Sequence, residues 1–440
     1  MSHRTALSMS ATLVSVTFLA SAQTTGFVPF DQFLAHTRAQ TFNPIRNEKI
    51  RVNNARNFDE MRGHILSMYE GVRVNRSFLQ GTSHFDCVPI DQQYSVRALG
   101  LKSLEIAPPV NLLAAHESVE DATAGLSSKL VSPAVNDGGE TGGPASCEEN
   151  TVPMRRIEME ELLRYPTLED FFRKKPAAVA PETESVKEEV APAVNASHKY
   201  SYFTQTVDNI GANSALNIWS PYVNTAAGQV FSLSQQWYVG GSGAGLQTAE
   251  VGWQNYPGKY GDQRSRLFIY FTADNYTKTG CYNTDCGTFV QTSNTMPLGG
   301  AFPNYSVAGG AQYDFNAQFL LFNGNWWLAI NGSWVGYYPA SIYNGGQMTK
   351  FAQRIEFGTE TVGGSTWPAA GSGAWSTQAF GYAAYHRNLY YMKTTGGSVW
   401  DSLSPVTPSA SCYNTSGTYY STSSGWGTYF YAGGPGGSGC

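Results

Sequence analysis

Histidine and glutamate are scarce in the second half of this 440-residue sequence. Between residues 200 and 440 the only histidine is His386. A Ser-His-Asp triad needs a histidine as its general base, and a His/Cys metal site needs several such ligands. A lone histidine is more often packed in a core than catalytic, so we assign no role to His386. The scarcity excludes the common serine-hydrolase and zinc-enzyme arrangements from this half, and we expect neither a metal nor a cofactor.

Long apolar runs and an excess of positive charge are also missing. The net charge is -5, and residues 200–440 carry 8 basic and 9 acidic side chains. No stretch beyond the first residues approaches the roughly twenty apolar residues that a membrane helix needs. No basic stripe is available to neutralise phosphates. We therefore expect neither a membrane nor a nucleic acid as a partner.

The beginning of the chain has the pattern of a secretory signal. A short basic start at His3 and Arg4 precedes an apolar run over residues 6–19, and small residues follow at Ala20 and Ala22. We predict a signal peptide over residues 1–22 and a secreted, extracellular protein.

Cysteine is infrequent but even in number. The six cysteines of an exported chain are most simply explained as three disulfides. Spacing along the sequence suggests two pairs directly and the third by elimination: Cys281 with Cys286, Cys412 with Cys440, and Cys87 with Cys147. Cysteines paired in this way cannot serve as nucleophiles or metal ligands.

Charge density divides the chain into two parts. Residues 23–199 contain 43 charged side chains in 177, whereas residues 200–440 contain only 17 in 241. Between the parts, residues 176–199 are rich in Ala, Pro, Val and Glu and contain no aromatic residue, a composition that cannot bury enough apolar surface to fold. We predict a small α+β domain over 23–175, a cleavable linker over 176–199, and a separate domain over 200–440. The α+β domain ends in a helical pattern over residues 159–174, which Pro166 breaks into two short pieces.

The second half has the pattern of an all-β protein. Arg266–Thr272 is dense in aromatic and β-branched residues, and Gln312–Phe322 alternates apolar and polar side chains. Asn323-Gly324 and Asn331-Gly332 follow as hairpin signals. These features predict an antiparallel β-sandwich, and they fit a carbohydrate-binding module equally well.

The three glutamates of this half are the candidate catalytic groups. They are Glu250, Glu356 and Glu360, and none lies in a charged run. Two carboxylates facing one cleft cannot both ionise cheaply, so one remains an acid while the other acts as a base. This chemistry serves peptide and glycosidic hydrolysis alike, and the residues alone leave peptidase and glycoside hydrolase level.

Several long motifs resemble the neprosin domain. They cover most of residues 200–440 in order: AEVGWQNYPGKYGD (249–262), FIYFTADNYTKTGCYNTDCGTFVQTSNTMPLG (268–299), GNWWLAINGSWVGYYP (324–339), RIEFGTE (354–360) and YFYAGGPGG (429–437). The first half resembles the activation segment of the same family through FDCVPIDQQYSVR (85–97) and ENTVPMRRIEMEELL (149–163).

The resemblance implies a glutamic peptidase made as a zymogen. Members of the family are antiparallel β-sandwiches, and some cleave after proline at acid pH. By motif position the catalytic glutamates are Glu250 and Glu360, the substrate is a peptide or protein, and the pro-segment acts as an intramolecular inhibitor. The second motif departs from the family at Phe357 and Thr359, so cleavage after proline is held only as a family expectation.

Six aromatic residues near these motifs are candidates for lining a substrate groove. They are Trp253, Tyr260, Trp326, Trp327, Tyr337 and Tyr338. Similar rings could stack on sugars, and a β-sandwich carbohydrate-binding module or a two-carboxylate glycoside hydrolase remains the alternative.

Overall fold

The computed structural model describes residues 26–43, 50–114, 120–121, 126–133, 146–174, 196–423 and 425–440. The predicted signal peptide lies outside these residues, and so do residues 176–195 of the linker predicted over 176–199. Within the described ranges no helix is both long enough and apolar enough to cross a membrane.

The helices are short and lie mostly in the first half. They are α1 Phe30–Ala39, α2 Ala55–Met68, α3 Tyr94–Ala98, α4 Met159–Leu162, α5 Leu168–Phe172 and α6 Pro257–Tyr260. Strands of the first half are β1 Arg76–Gln80, β2 Ser83–Pro89, β3 Glu120–Asp121, β4 Leu126–Leu130 and β5 Thr151–Arg155. Strands of the second half are β6 Ser197–Asn217, β7 Gln229–Gly240, β8 Gln247–Asn255, β9 Arg266–Thr272, β10 Val290–Gln291, β11 Gln312–Phe322, β12 Asn325–Ile330, β13 Ser333–Pro339, β14 Ala352–Gly363, β15 Ala384–Lys393, β16 Ser398–Trp400, β17 Ser404–Val406, β18 Asn414–Thr415, β19 Tyr419–Ser421 and β20 Gly427–Gly433.

The N-terminal region, residues 26–174, is an α+β unit with its own core. Its antiparallel sheet β1-β2-β5 carries α1, α2, α4 and α5, whose apolar sides meet in one buried cluster. The helical pattern over 159–174 is split at Pro166, because proline cannot continue a helix. The second piece, α5, starts afresh at Thr167, whose hydroxyl accepts a hydrogen bond from the Asp170 backbone N–H at 3.1 Å.

The second half is an antiparallel β-sandwich in which β6 belongs to both layers. The first part of this 21-residue strand pairs with β14, and its last part pairs with β11 and β15. One layer therefore runs β9-β8-β7-β14-β6, and the other contains β13-β12-β11-β6-β15. The all-β prediction is confirmed.

The large apolar core lies between these layers. On β8 the side chains of Ala249, Val251 and Trp253 enter the core. Successive side chains of a strand point to opposite faces of the sheet. Glu250 therefore lies on the face turned away from the core, which is the outer, concave face of this layer. The sheet thus separates the core from the face that carries the candidate site.

Two tight turns fix the register of β11, β12 and β13. Asn323 and Gly324 have φ angles of 49° and 72°, and Asn331 and Gly332 have 47° and 72°. Two positive φ angles in a two-residue turn match the twist of the flanking strands, and Asn-Gly adopts them at little cost.

Three disulfides join the same pairs that the spacing suggested. They are Cys87–Cys147, Cys281–Cys286 and Cys412–Cys440. The first lies within the N-terminal region, and the other two lie within the sandwich.

The N-terminal region packs along the sandwich rather than standing apart from it. Strand β4 pairs in parallel with the start of β11. Gln93 Nε2 donates to the Gln291 carbonyl at 2.9 Å, and His64 Nε2 lies 2.9 Å from the Asp285 carbonyl. These contacts hold the last helix of the region, α5, over the concave face of the sandwich.

Candidate active site

Glu250 lies at the centre of β8, between β7 and β9, and is fully buried. Its Oε1 accepts hydrogen bonds from the Tyr276 hydroxyl at 2.7 Å and the Thr248 hydroxyl at 2.9 Å. Both donors are neutral. A buried carboxylate needs more compensation than two hydroxyls provide, so its remaining oxygen requires a charged partner.

Glu360 lies on β14, between β6 and β7, and is 2 % exposed. Gln235 Nε2 donates to its Oε2 at 3.1 Å, and His198 Nδ1 lies 2.5 Å from its Oε1. Burial alone would raise the pKa of Glu360. The charge of Lys174 and the hydrogen bond and charge of His198 outweigh burial and lower this pKa from 4.5 to about 2.

Lys174, from the end of the N-terminal region, joins the two carboxylates. Its ammonium nitrogen contacts Glu250 Oε2 and lies 2.8 Å from Glu360 Oε2 and 3.2 Å from Gln235 Oε1. Burial lowers the pKa of Lys174, but the two carboxylates hold it above its usual value. Glu250 and Glu360 thus share a single cation, Lys174, whose side chain is only 3 % exposed to solvent.

Four polar residues at this site were not found from the sequence: Lys174, Gln235, His198 and Tyr276. Lys174 was the end of a predicted helix, and His198 fell inside the predicted linker, although β6 already begins at Ser197. Gln235 could be placed only by the pairing of β7 with β14, where it lies opposite Gly358. None of the four belongs to a motif with a recognisable spacing.

Glu356, the third glutamate of the sandwich, has a different environment. It lies four residues before Glu360 on β14, and its Oε1 lies 2.8 Å from Arg354 Nε. Burial raises the pKa of Glu356, and the charge of Arg354 opposes this only in part. Glu360, and not Glu356, therefore shares the partner Lys174 with Glu250.

Three of the six aromatic candidates are core residues, and the prediction that they line a groove was wrong for them. Trp253, Trp326 and Tyr338 are fully buried between the two layers. Trp253 follows Glu250 by three positions, an odd number, so its ring points to the opposite face of β8. Its Nε1 donates to the Asn217 carbonyl at 2.8 Å inside the core.

The other three aromatic candidates lie under the N-terminal region. Tyr260 is covered by Arg155, whose guanidinium carbon is 5.2 Å from the ring centroid. Trp327 and Tyr337 pack together against leucines of residues 99–104. None has a contact with either catalytic candidate among the described residues.

Other rings surround the carboxylates instead. Lys174 Nζ lies 5.6 Å from the Trp237 ring centroid and 6.0 Å from that of Tyr270. Tyr200 lies directly opposite Glu360 on the neighbouring strand. These residues share the concave face because cross-strand partners in an antiparallel sheet point to the same side.

The two departures from the family motif lie away from this face. Phe357 is fully buried in the core, and the Thr359 hydroxyl is bonded to that of Ser201 at 2.8 Å. Between them, Gly358 has a φ of 154°, and a Cβ there would lie 2.4 Å from the Ser201 carbonyl oxygen. Glycine is required at this position because β6 approaches closely.

His386 is a packed residue. Its two ring nitrogens lie 3.2 Å from the Ser214 hydroxyl and 2.7 Å from the Ser234 hydroxyl. Its ring stacks on Phe430 at 5.2 Å, and burial lowers its pKa to about 3. With so low a pKa, His386 is a poor general base. This agrees with the decision to assign no role to the lone histidine of residues 200–440.

Across the described ranges, no group of three or more His, Cys, Asp or Glu side chains is placed to hold a metal ion.

Comparison with known proteins identifies the second half. Residues 228–435 match the family model named Neprosin. Scytalido-glutamic peptidase, solved with a peptide-based transition state analog, is 12 % identical over 55 % of this chain and 99 % of its own, with a TM-score of 0.30. SCP-B, described as a member of the Eqolisin family in complex with the tripeptide Ala-Ile-His, is also 12 % identical over 55 % and 99 %, with a TM-score of 0.28.

Sheep galectin-11 is 11 % identical over 39 % of this chain and 96 % of its own, with a TM-score of 0.17. Scores this low do not distinguish between the two kinds of neighbour, so the family match carries the identification. The match assigns residues 228–435, a domain within the second half of the chain, to the neprosin family.

Proposed function

We propose that this protein is a secreted glutamic endopeptidase, made as a latent precursor, that hydrolyses peptide bonds in acid with a water activated by Glu250 and Glu360. The observation that carries the proposal is the convergence of both buried carboxylates on one ammonium nitrogen, that of Lys174. An ammonium group and a water molecule are similar in size. The site between the carboxylates therefore suits a water once Lys174 has left.

The chemistry follows from two acids in one dry site. One carboxylate accepts a proton from the water while the other, kept protonated by its neighbour's charge, donates a proton to the leaving amine. Gln235 and Tyr276 lie beside the pair and can donate hydrogen bonds to developing negative charge. No covalent intermediate is needed.

Latency follows from the position of Lys174 in the N-terminal region. While its ammonium occupies the site, neither carboxylate can bind water. The pKa of Glu360 is lowered to about 2 in this closed form, so its attraction to Lys174 is lost as the pH falls toward that value. Acid therefore weakens the contact that blocks the site.

A peptide fits the site better than a sugar does. The segment that now occupies the concave face is itself polypeptide, and the Lys174 backbone N–H donates to the Tyr270 hydroxyl at 3.1 Å. The family match supports the same choice. Cleavage after proline is a further expectation from the family resemblance. The sequences of the digestion products test this specificity.

Digestion assays separate the candidate functions. Full-length protein is incubated at pH 3 to 5 with casein, gliadin and a panel of polysaccharides, and the peptide products are sequenced by mass spectrometry. We expect peptide products, a new N-terminus between residues 175 and 197, and no sugar release. Sugar release without peptide cleavage would replace the proposal with a glycoside hydrolase, and binding without either would indicate a carbohydrate-binding module.

A further inference from the structure

His198 is the one polar contact of Glu360 whose purpose the fold does not explain. It lies near the start of β6, and its Nδ1 is 2.5 Å from Glu360 Oε1. Its other ring nitrogen, Nε2, is buried and has no hydrogen-bond partner among the described residues. A structural histidine normally satisfies both nitrogens, as His386 does. The hydrogen bond to Glu360 is therefore the interaction that accounts for a polar ring at this position.

The sheet and two aromatic rings hold His198 in place. It pairs with Val362 on β14, which makes it the diagonal neighbour of Glu360 across the two strands. Its ring stacks on Tyr200 at 6.1 Å and meets the edge of Phe231 at the same distance. The side chain is 15 % exposed, so its orientation does not depend on solvent.

The two catalytic candidates differ in what remains beside them when Lys174 leaves. Glu250 keeps only neutral hydroxyl donors, from Tyr276 and Thr248. Glu360 keeps the Gln235 amide and the His198 imidazole, which carries positive charge when protonated. A nearby positive charge favours the ionised form of a carboxyl group, whereas a hydroxyl can face either form.

No other described cation takes the place of Lys174. Arg354 is paired with Glu356 farther along β14, and Lys259 is paired with Asp285 at 2.9 Å. Lys199 follows His198 but points to the opposite face, where its ammonium lies 4.4 Å from the Trp367 ring. His198 is thus the remaining source of positive charge at the pair.

We propose that His198 is a positioning residue that orients the Glu360 carboxylate and keeps it ionised after the N-terminal region has left. Glu360 is then the base that takes a proton from water, and the resulting hydroxyl oxygen bonds to the peptide carbonyl carbon. Glu250 is the acid that gives its proton to the amide nitrogen as the C–N bond breaks. This assignment rests on the proposed peptidase function, and it requires that maturation cut the chain before His198.

The test compares His198→Gln, which keeps a donor but removes the charge, with His198→Lys, which keeps the charge. Each full-length variant carries a site for an added specific protease between residues 185 and 186, so removal of the N-terminal region does not depend on the variant's own activity. The readout is kcat/KM for a peptide substrate between pH 2 and 7. Lys199→Gln, which removes a positive charge from the neighbouring position on the opposite face of β6, is the matched control.

For His198→Gln we expect the acidic limb of the kcat/KM profile to move up by about one pH unit, since the base has lost an adjacent positive charge. Below that limb, activity should fall about tenfold, because one pKa unit is a factor of ten in the ionised fraction. His198→Lys should reverse most of the shift, and Lys199→Gln should match the unmodified enzyme. If His198 were neutral, His198→Gln would leave the acidic limb where it is and His198→Lys would move it to lower pH, and that result overturns the proposal.

An unshifted limb in His198→Gln, or failure of both His198 variants to accumulate as folded protein, likewise overturns it in favour of a structural role. Glu360→Gln, measured in parallel, separates this outcome from failure of the proposed function. If Glu360→Gln is inactive while His198→Gln has an unchanged profile, only the role of His198 is wrong. If Glu360→Gln is fully active, the glutamate-pair mechanism itself fails.

Discussion

In the N-terminal region, two buried arginines find their partners within the region. Arg156 and Asp86 form an ion pair at 2.6 Å with both side chains fully buried, and Arg155 binds Glu161 at 2.7 Å. The sandwich also contains a buried ion pair of its own, between Arg387 Nε and Asp314 Oδ2 at 2.9 Å. Such pairs are complete within one folded unit and do not change when the two units separate.

Glu250 and Glu360 differ from these pairs because their shared cation, Lys174, belongs to the other region. Separation of the regions leaves the two carboxylates close together, and among the described residues of the sandwich His198 is the remaining basic side chain in contact with the pair. Two acids in that position are costly for stability but useful for catalysis. The difference indicates that a buried charge compensated across a boundary between regions is a better marker of function than one compensated locally.

The largest effect on latency is expected from removing the cation. Lys174→Met keeps the length of the aliphatic stem and leaves the carboxylates without their partner. Breaking one side of a buried ion pair costs about 3 to 5 kcal/mol. The closed form should weaken accordingly, and the uncleaved chain at pH 5 should show at least about 100-fold more peptidase activity than the unmodified chain.

Lys102→Met is the control for this change, because Lys102 is an exposed lysine of the same region. It should remain as latent as the unmodified chain. Equal latency of Lys174→Met and Lys102→Met, with gels showing both uncleaved, would mean that the rest of the interface blocks the site and that Lys174 is dispensable.

A smaller effect is expected at His64, on α2, where the two regions also meet. Burial lowers the pKa of His64 from 6.5, and its bond to the Asp285 carbonyl opposes this only in part. A histidine whose pKa is lowered on docking binds a proton more readily when released. Its contribution to docking is therefore complete above pH 6.5 and declines as the pH falls below that value.

His64→Gln keeps an amide donor and removes this titration. We expect the pH of half-maximal release of the N-terminal region, followed by size-exclusion chromatography, to move about half a unit toward acid, since one group that destabilises docking in acid is gone. The control is His36→Gln, at an exposed position of the same region. A release curve of His64→Gln with the same midpoint and slope as that of the control would show that His64 titration plays no part in release.

Much of the fold could be predicted from the sequence because its signals are local. The β9 and β11 strands follow from alternation and aromatic density within single segments, and the Asn-Gly turns follow from two adjacent residues. The break at Pro166 follows from the missing N–H of proline. Each of these features is decided by residues a few positions apart.

The candidate site could be predicted only in part because its remaining members come from distant segments. Glu250 and Glu360 stood out through scarcity and motif position. Lys174 and His198 reach the site through the packing of α5 on the sandwich and the early start of β6, which no short pattern reveals. Three of the aromatic candidates, Trp253, Trp326 and Tyr338, failed for a related reason: sequence proximity to a motif does not say which face of a strand a ring occupies.

The most direct test of the glutamate-pair account compares three isosteric substitutions in chains freed of the N-terminal region with an added protease. Glutamine keeps the shape of glutamate and removes its titration. Glu250→Gln and Glu360→Gln should each lower kcat/KM for peptide hydrolysis at pH 4 by about 1000-fold or more, within the range that general acid–base catalysis supplies. Glu356→Gln, whose carboxylate pairs with Arg354, should keep most of the activity. A folded Glu360→Gln enzyme that remains active while Glu356→Gln is inactive would contradict the account.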